Sequence, residues 1–291
     1  MGVHVSATTI DPGTHVGAVH LAITDLDRAV RFYTATLGMH VLERHADGAT
    51  LTADGQTPLL MLTGRPDARP KPPRTTGLYH FAVLVPDRAA LARSLRQLAE
   101  TRYPLQGAAD HLVSEALYLA DPDGNGIEIY RDRPREEWPV ANGRVQMATD
   151  PLDIEGILGE LAEDRGDWRG LDPRTQMGHV HLHVADLRAA EQFYVGVLGF
   201  EVMQQLAGSA LFVSAGGYHH HIGLNTWAGV GAPPPPANAV GLRWFSVLLP
   251  SREALDEVVE RLRTAGVATE ERDGAVELRD PFGNGIVLRT A

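Results

Sequence analysis

The chain has 291 residues, a formal net charge of -11 at pH 7 and no cysteine. The acidic balance argues against nucleic acids and anionic membranes as partners, because both attract positively charged surfaces. Without cysteine, the protein has no disulfide, no thiolate metal ligand and no cysteine nucleophile. The sequence has neither a run of about 20 apolar residues nor an apolar signal core near its start, so we expect a soluble protein of the cytoplasm.

Two halves of the chain repeat the same motifs in the same order. Three dipeptides recur without a gap: Asp25-Leu26, Phe32-Tyr33 and Leu37-Gly38 return as Asp186-Leu187, Phe193-Tyr194 and Leu198-Gly199. A later turn, Asp-Pro-x-Gly-Asn-Gly, occurs at 121–126 and again at 280–285. The repeat predicts two copies of one domain, at 16–131 and 177–291, with a tail at 1–15 and a connector at 132–176.

The first copy opens with a unit of one strand, one helix and three further strands. Apolar residues alternate over 19–23, which predicts a strand. A helix over 26–36 follows, opened by Asp25 as its N-cap and closed by Gly38. Two Asp-Gly turns then separate three short strands.

A second unit of the same kind starts near Tyr79. Its helix is expected at 87–100, its last hairpin turns at 123–126, and its last strand covers 127–130. Because the second copy repeats both units, the sequence predicts an α+β fold of four β-α-β-β-β units. The connector contains a predicted short helix near 151–163.

Histidines of the third unit alternate along predicted strands. His179, His181 and His183 share one face of the first strand, opposite an apolar face that should pack on the helix. In the Tyr-His-His-His run at 218–221, strand alternation puts His219 and His221 on one face and His220 on the other. A single strand histidine is more often half-exposed than a ligand, and the run could also form a solvated edge.

The second unit carries polar residues at the matching places. His80 lies on its first strand, and Glu128 lies between two isoleucines on its last strand. The matching positions favour a shared metal site over scattered surface residues. Imidazole and carboxylate ligands together suit Fe(II), Mn(II), Ni(II) or Zn(II).

The repeated motifs and the Asp-Pro-x-Gly-Asn-Gly turn resemble the vicinal oxygen chelate superfamily, which includes glyoxalase I, bleomycin-binding proteins and extradiol dioxygenases. One stretch is more specific. It nearly matches the extradiol dioxygenase signature, departing from it at Ala109, and its matching residues are His111, Leu117-Tyr118, Asp121-Pro122, Gly124 and Glu128. The whole chain is similar to the bacillus type of catechol 2,3-dioxygenase.

The resemblance implies two open β-sheet cups with helices outside, each built by two units. It also implies that His111 is an acid–base residue, that Tyr118 hydrogen-bonds the substrate and that Glu128 ligates the metal. We assign His181, His219 and Tyr218 to substrate binding.

The distribution of potential ligands among the four units predicts which residues form the metal site. Units two and three offer His80, Glu128, His179 and, by register, His221, whereas units one and four offer no ligand. The register leaves His219 as the alternative to His221. We therefore hypothesise that units two and three pair. If units one and two pair instead, the expected set is His20, His80 and Glu128.

The favoured function is extradiol cleavage of a catechol-like substrate by O₂ with Fe(II), or alternatively Mn(II), Ni(II) or Zn(II). Two other functions stay open: a glyoxalase-like isomerase or lyase, and a non-catalytic protein that sequesters a small molecule. A set of four protein ligands leaves fewer open positions on the metal than a set of two histidines and one carboxylate. This slightly favours the isomerase over a reaction that needs O₂. Exposed sheet edges favour a homodimer.

Overall fold

A computed structural model describes residues 9–141, 144–163, 166–206 and 208–291. Most of the predicted tail, at 1–8, lies outside the described residues, as do 142–143 and 164–165 of the connector. Within the described ranges, the chain forms four β-α-β-β-β units, and the predicted α+β class is confirmed. Among these residues, no helix combines the length and the apolar character that crossing a bilayer requires.

The first two units follow the predicted order. The first contains β1 (His15–Ile23), α1 (Leu26–Arg31), β2 (His40–Arg44), β3 (Gly48–Thr52) and β4 (Pro58–Gly64). The second contains β5 (Gly77–Leu84), α2 (Arg88–Glu100), β6 (Gly107–Asp110), β7 (Ser114–Ala120) and β8 (Gly126–Asp132). Helix α1 continues as a π-helical turn, Phe32–Thr36, and its N-cap is Asp25, whose side chain accepts from the Arg28 amide. The predicted helix over 26–36 is therefore confirmed.

The connector has a small hairpin and one short helix. Its elements are β9 (Val140–Ala141), β10 (Arg144–Val145) and α3 (Ile154–Gly159). The helix lies inside the predicted range 151–163. A backbone pair between Asp110 and Asp150 joins the segment before this helix to strand β6.

The last two units repeat the first two. The third contains β11 (Gln176–His183), α4 (Leu187–Glu191), β12 (Glu201–Leu206), β13 (Ala210–Ser214) and β14 (Ile222–Asn225). The fourth contains β15 (Gly241–Leu249), α5 (Arg252–Thr264), β16 (Thr269–Arg272), β17 (Ala275–Arg279) and β18 (Gly285–Thr290).

Two mixed sheets of eight strands organise the described residues. One runs β16-β17-β18-β15-β1-β4-β3-β2 and joins units four and one, and the other runs β12-β13-β14-β11-β5-β8-β7-β6 and joins units three and two. Strands β5 and β11 pair antiparallel at the centre of the second sheet, with His80 opposite His181. The hypothesis that units two and three pair is confirmed, and the alternative of units one and two sharing a sheet is wrong.

The repeated motifs connect neighbouring units through buried hydrogen bonds. The Tyr33 hydroxyl donates to Asp121 at 2.8 Å, and Tyr194 donates to Asp280 at 2.9 Å in the second copy. Each tyrosine is completely buried, so its hydroxyl needs a partner inside the protein. The Asp-Pro-x-Gly-Asn-Gly turn thus fixes the end of one unit against the helix of the unit before it.

Candidate metal centre and active site

Three potential ligands converge on the shared sheet of units two and three. His80 lies on β5, Glu128 on the neighbouring β8, and His179 on β11 at the other side of β5. The Nε2 atoms of His80 and His179 each lie 3.0 Å from Oε2 of Glu128. All three ligand atoms fall within 4.8 Å of one another, and all three residues are buried. The arrangement is a His-Glu-His metal site.

The geometry of these atoms fits a metal ion, and only the His179 Nε2 contact to Glu128 also meets hydrogen-bonding geometry. His80 Nε2 is buried and lies outside hydrogen-bonding geometry despite its short distance to Glu128. Two ligands at about 2.1 Å from one ion, placed at a right angle, stand about 3.0 Å apart. The observed spacing therefore matches two adjacent positions around a single cation.

The electrostatics favour ligand states that can bind a cation. Burial alone would raise the pKa of Glu128, but the imidazoles of His179 and His80 hold this pKa well below its usual range. Burial lowers the pKa of His179 to about 4, although the nearby Glu128 charge opposes the shift. Near neutral pH the site therefore holds a carboxylate and a neutral His179, and metal binding needs both groups deprotonated.

The structure does not bring His221 to this cluster. Its Nδ1 accepts a hydrogen bond from the Ala215 amide at 3.2 Å and lies 3.2 Å from the Ser214 hydroxyl, whose proton is directed at the Ala215 carbonyl. Residues 218–221 form a bend before β14, so the strand alternation expected for the run is wrong. The bend turns His221 towards the backbone of the β13 end, and the cluster has three protein ligands rather than four.

His220 occupies the place near the metal site that strand alternation predicted for His219 or His221. Its ring centroid lies 4.1 Å from that of His179, and it lines the adjacent cavity. Strict alternation predicted that His220 would lie on the face opposite His219 and His221. The Gly216-Gly217 pair just before the run, with φ of 58° and 66°, is the sequence signal for the irregular backbone.

A cavity of about 430 Å³ opens beside the three ligands. His80 and Glu128 lie on its inner wall, and residues 147–149 of the connector form another part of the wall. The Gln204 side chain donates to the Met147 carbonyl at 3.1 Å, which ties this wall to β12. The contribution of the connector was not predicted, because the segment lies outside the repeat and has no motif.

His111 and Tyr118 form a hydrogen-bonded pair in the cavity wall. His111 Nδ1 lies 2.6 Å from the Ala148 carbonyl, and its Nε2 lies 2.6 Å from the Tyr118 hydroxyl. A carbonyl only accepts, so Nδ1 of His111 carries a proton, and its Nε2 can accept from the Tyr118 hydroxyl. Tyr118 is the cross-strand partner of Glu128. Burial and the Glu128 charge raise the pKa of Tyr118 well above its usual value.

The residues assigned to substrate binding separate into two groups. His181 lines the cavity, and its Nε2 is 2.9 Å from the Asn225 side-chain amide. Tyr218 and His219 lie behind the cavity wall, where both contact the Asp132 carboxylate at 2.9 Å. Trp227 and Tyr79 flank the cavity with half-exposed rings 5.3 Å apart.

The sheet of units one and four has no equivalent ligands. In this sheet His20 lies opposite Trp244, and in the other sheet His181 lies opposite His80 at the matching position. Trp244 therefore takes the place of His80. By the same register Ala18 and Val287 replace His179 and Glu128. His20 Nε2 contacts the Thr63 hydroxyl at 2.8 Å. The alternative ligand set that includes His20 is therefore wrong.

Comparison with known proteins agrees with this arrangement. A family model described as the glyoxalase/bleomycin resistance protein/dioxygenase superfamily matches residues 14–129 and 176–288. The chain is 48% identical to a catechol-2,3-dioxygenase of Bacillus subtilis, over 96% of this chain and 98% of the relative. It is 30% identical to biphenyl-2,3-diol 1,2-dioxygenase 3 of Rhodococcus globerulus, over 45% of this chain and 72% of the relative.

Solved structures share the fold at low identity. The crystal structure of a putative dioxygenase from Bacillus subtilis has a TM-score of 0.66 and 14% identity, over 97% of this chain and 86% of that chain. Glyoxalase I from Zea mays has a TM-score of 0.57 and 15% identity, over 96% of this chain and 92% of that chain. The duplicated family match and the extended similarity to a curated relative show that the chain belongs to the glyoxalase/bleomycin resistance protein/dioxygenase superfamily.

Proposed function

We propose that this protein is an extradiol dioxygenase that opens a catechol ring with O₂, beside its two hydroxylated carbons. One ring carbon–carbon bond breaks and both oxygen atoms enter the product, which is a hydroxylated semialdehyde acid. The observation that carries the proposal is the set of two imidazoles and one carboxylate at the wall of an open cavity. The 48% identity to a catechol-2,3-dioxygenase supports the choice of substrate class.

The metal proposed for His80, Glu128 and His179 is Fe(II), with Mn(II), Ni(II) and Zn(II) as alternatives. Two histidines and one carboxylate on one side of an ion are typical of non-haem Fe(II) oxygenases, because the remaining positions stay open. When bound, such an ion would lower the pKa of a catechol hydroxyl and hold the two reactants together.

Three residues of the cavity wall handle the substrate hydroxyls in this proposal. Tyr118 donates its proton to His111, so the Tyr118 oxygen keeps lone pairs that can accept from a substrate hydroxyl. His111, on the far side of Tyr118, serves as the acid–base residue by passing a proton through that hydroxyl. His220 also lines the cavity and offers a ring nitrogen beside His179. His181 also lines the cavity and is proposed to contact the bound ring.

The chemistry of the cavity favours an uncharged aromatic ring. Among its lining residues in the described part of the chain there is no lysine or arginine, and apolar side chains such as Met147, Leu206 and Phe212 form much of the wall. A substrate carboxylate placed here would lose its hydration without gaining a cationic partner. Catechols with neutral, apolar substituents are therefore the proposed substrates.

A glyoxalase-like isomerase or lyase is the competing function in this superfamily. The fourth ligand that weighed towards it, His221, is not in the cluster, and a three-residue set leaves room for two substrate oxygens and O₂. A non-catalytic binding role gives no reason for three buried ligands at one point.

Anaerobic loading of the protein with Fe(II), followed by catechol and air, tests the proposal. We expect consumption of one O₂ for each catechol and a yellow product of ring cleavage. Loss of a hemithioacetal substrate with Ni(II) or Zn(II), and no O₂ uptake with Fe(II), would instead favour the isomerase. Tight catechol binding without turnover under any metal would favour the binding protein.

We further propose that the protein works in the cytoplasm and forms a homodimer through an exposed sheet edge. Strands β2, β6, β12 and β16 are the outermost strands of the two sheets in the described ranges. Light scattering of the purified chain would test the dimer: a monomeric mass across the accessible concentration range would exclude it.

A further inference from the structure

A hydrogen-bonded chain of three side chains leads from the edge of the protein to the cavity. Asp132 Oδ1 lies 2.9 Å from His219 Nε2, and His219 Nδ1 lies 2.8 Å from His220 Nδ1. His219 is completely buried, whereas Asp132 is partly exposed. His220 lines the cavity, and its Nε2 has no hydrogen-bond partner among the described residues.

With both imidazoles uncharged, the carboxylate of Asp132 sets the direction of each hydrogen bond. An ionised carboxylate only accepts, so the His219 proton facing Asp132 lies on Nε2. A neutral His219 then has a bare Nδ1, which can accept only if His220 carries its own proton on Nδ1. The Nε2 atom of His220 is left with its lone pair directed at the cavity.

The position of the carboxylate is fixed by a second pair of side chains. The Tyr218 hydroxyl donates to Asp132 Oδ2 at 2.9 Å, and its oxygen is 2.7 Å from the Tyr130 hydroxyl. Because Tyr218 donates to Asp132, Tyr130 must donate to Tyr218. Both oxygens of Asp132 are thus engaged, and the carboxylate cannot rotate away from His219 without losing a buried hydrogen bond.

Ring packing restrains the two histidines along the same path. The His219 ring lies 4.1 Å from the Tyr218 ring and 5.4 Å from the Trp138 ring. The His220 ring lies 4.1 Å from His179 and 5.1 Å from Phe212. Orientation and tautomer are therefore both determined by the surroundings, as in sites where a carboxylate fixes the tautomer of an acid–base histidine.

We propose that Asp132 and His219 are positioning residues that hold His220 as the Nδ1–H tautomer, with Nε2 ready to accept from a substrate hydroxyl. The use of His220 in turnover rests on the proposed dioxygenase function, whereas its tautomer does not. Neither Asp132 nor His219 touches the cavity, so each acts only through His220.

The direct test is heteronuclear NMR of the histidine side-chain nitrogens in the full chain loaded with Zn(II), which is diamagnetic. The chain has 13 histidines, so the signals are assigned from H219Q and H220Q spectra. We expect a proton on Nε2 of His219 and on Nδ1 of His220. A proton on Nε2 of His220 in the wild-type protein would overturn the proposal.

The variant Asp132→Ala tests the consequence for turnover. Without the carboxylate, His219 can carry its proton on either nitrogen, and His220 should then show a mixture of tautomers. We expect kcat with catechol to fall about 10- to 100-fold, with KM and metal content within about threefold of wild type. A fall in kcat with an unchanged His220 tautomer would mean a merely structural role and would contradict the proposal, as would an unchanged kcat.

Failure of the two proposals can be told apart. The wild-type spectrum decides the tautomer by itself, even if Asp132→Ala folds poorly. A protein with the expected tautomers that does not cleave catechol when loaded with Fe(II) would contradict the dioxygenase function and leave the positioning arrangement intact.

Discussion

The Nε2 atom of His179 lies 3.0 Å from Oε2 of Glu128, although the two residues come from different halves of a duplicated chain. The contact exists because β11 of the third unit pairs with β5 of the second, and β8 lies on the other side of β5. The other sheet has the same strand order but no ligand at the three equivalent positions. Duplication thus supplied two sheets, and one of them carries the metal site.

Removing the charge of Glu128 should abolish metal binding. Glu128→Gln keeps the shape of the side chain but removes the anion that offsets a buried cation. We expect bound metal to fall from about one equivalent to a small fraction. The rise in Tm on adding metal should disappear as well, because a metal stabilises the folded protein only by binding to it. Elemental analysis and a thermal melt measure both.

The control for this variant is Glu43→Gln, which changes an exposed glutamate on β2 of the other sheet. It should bind metal as the wild type does. Full metal occupancy in Glu128→Gln would contradict the assignment of Glu128 as a ligand.

Histidines 179 and 221 should respond differently to the same substitution. His179→Asn should lose metal and activity, since the amide is a weak ligand and cannot reach the position of Nε2. His221→Asn should keep its metal, because His221 lies outside the cluster and accepts from the Ala215 amide, and an amide oxygen can accept in the same way. Equal metal loss in the two variants would show that His221 belongs to the site.

Loss of the Tyr118 hydroxyl should slow turnover without releasing the metal. Tyr118→Phe removes the group that bridges His111 and the cavity, and a hydrogen bond to a substrate oxygen that ionises during turnover contributes about 1.5–3 kcal/mol. We expect kcat/KM to fall roughly 10- to 150-fold. Metal content equal to wild type separates this effect from ligand loss, and an unchanged kcat/KM would remove Tyr118 from the mechanism.

Acid should destabilise the protein through its buried neutral histidines. Burial, followed by the nearby His219, lowers the pKa of His221 to about 3, from its usual value of 6.5. Below pH 6.5 the unfolded chain binds a proton at this residue that the folded protein does not, so stability falls as pH falls. Between about pH 7.5 and about pH 5.5, this one group should remove roughly 1.4 kcal/mol from the free energy of unfolding.

Urea unfolding at both pH values measures that difference. His221→Asn cannot titrate, so its loss of stability over the same interval should be smaller than the wild-type loss by that amount. An identical pH dependence in the two proteins would mean that His221 titrates normally in the folded state.

The cavity should discriminate against charged ring substituents. It has no cationic side chain among its described lining residues, so a carboxylate on the substrate gains no partner. We expect kcat/KM for a methylcatechol to exceed that for a dihydroxybenzoate by about 100-fold or more, equivalent to about 2.7 kcal/mol. Comparable values for the two would point to a cationic residue reaching the cavity when substrate binds.

Much of the architecture could be predicted from the sequence because the signals were periodic or repeated. The duplicated motifs define four units, and the distribution of ligands among those units predicts which two share a sheet. His80, Glu128 and His179 were found because each lies on a regular strand, where alternation determines the side-chain face.

The remaining parts of the site depend on irregular backbone. Residues 218–221 bend before β14, so alternation gave His220 the wrong face and His221 the wrong role. The wall at 147–149 comes from the connector and is held by hydrogen bonds to Gln204 on β12 and to His111 in the loop after β6. Such contacts have no local sequence pattern and appear only when the tertiary structure is known.

The most direct test of the central claim is the fate of isotopically labelled O₂ with Fe(II)-loaded protein and catechol. Extradiol cleavage predicts one O₂ consumed per catechol and a product that contains both labelled atoms as a semialdehyde and a carboxylate, before exchange with water. A dicarboxylic product, or catechol left intact by protein that has bound its full equivalent of Fe(II) at His80, Glu128 and His179, would contradict it.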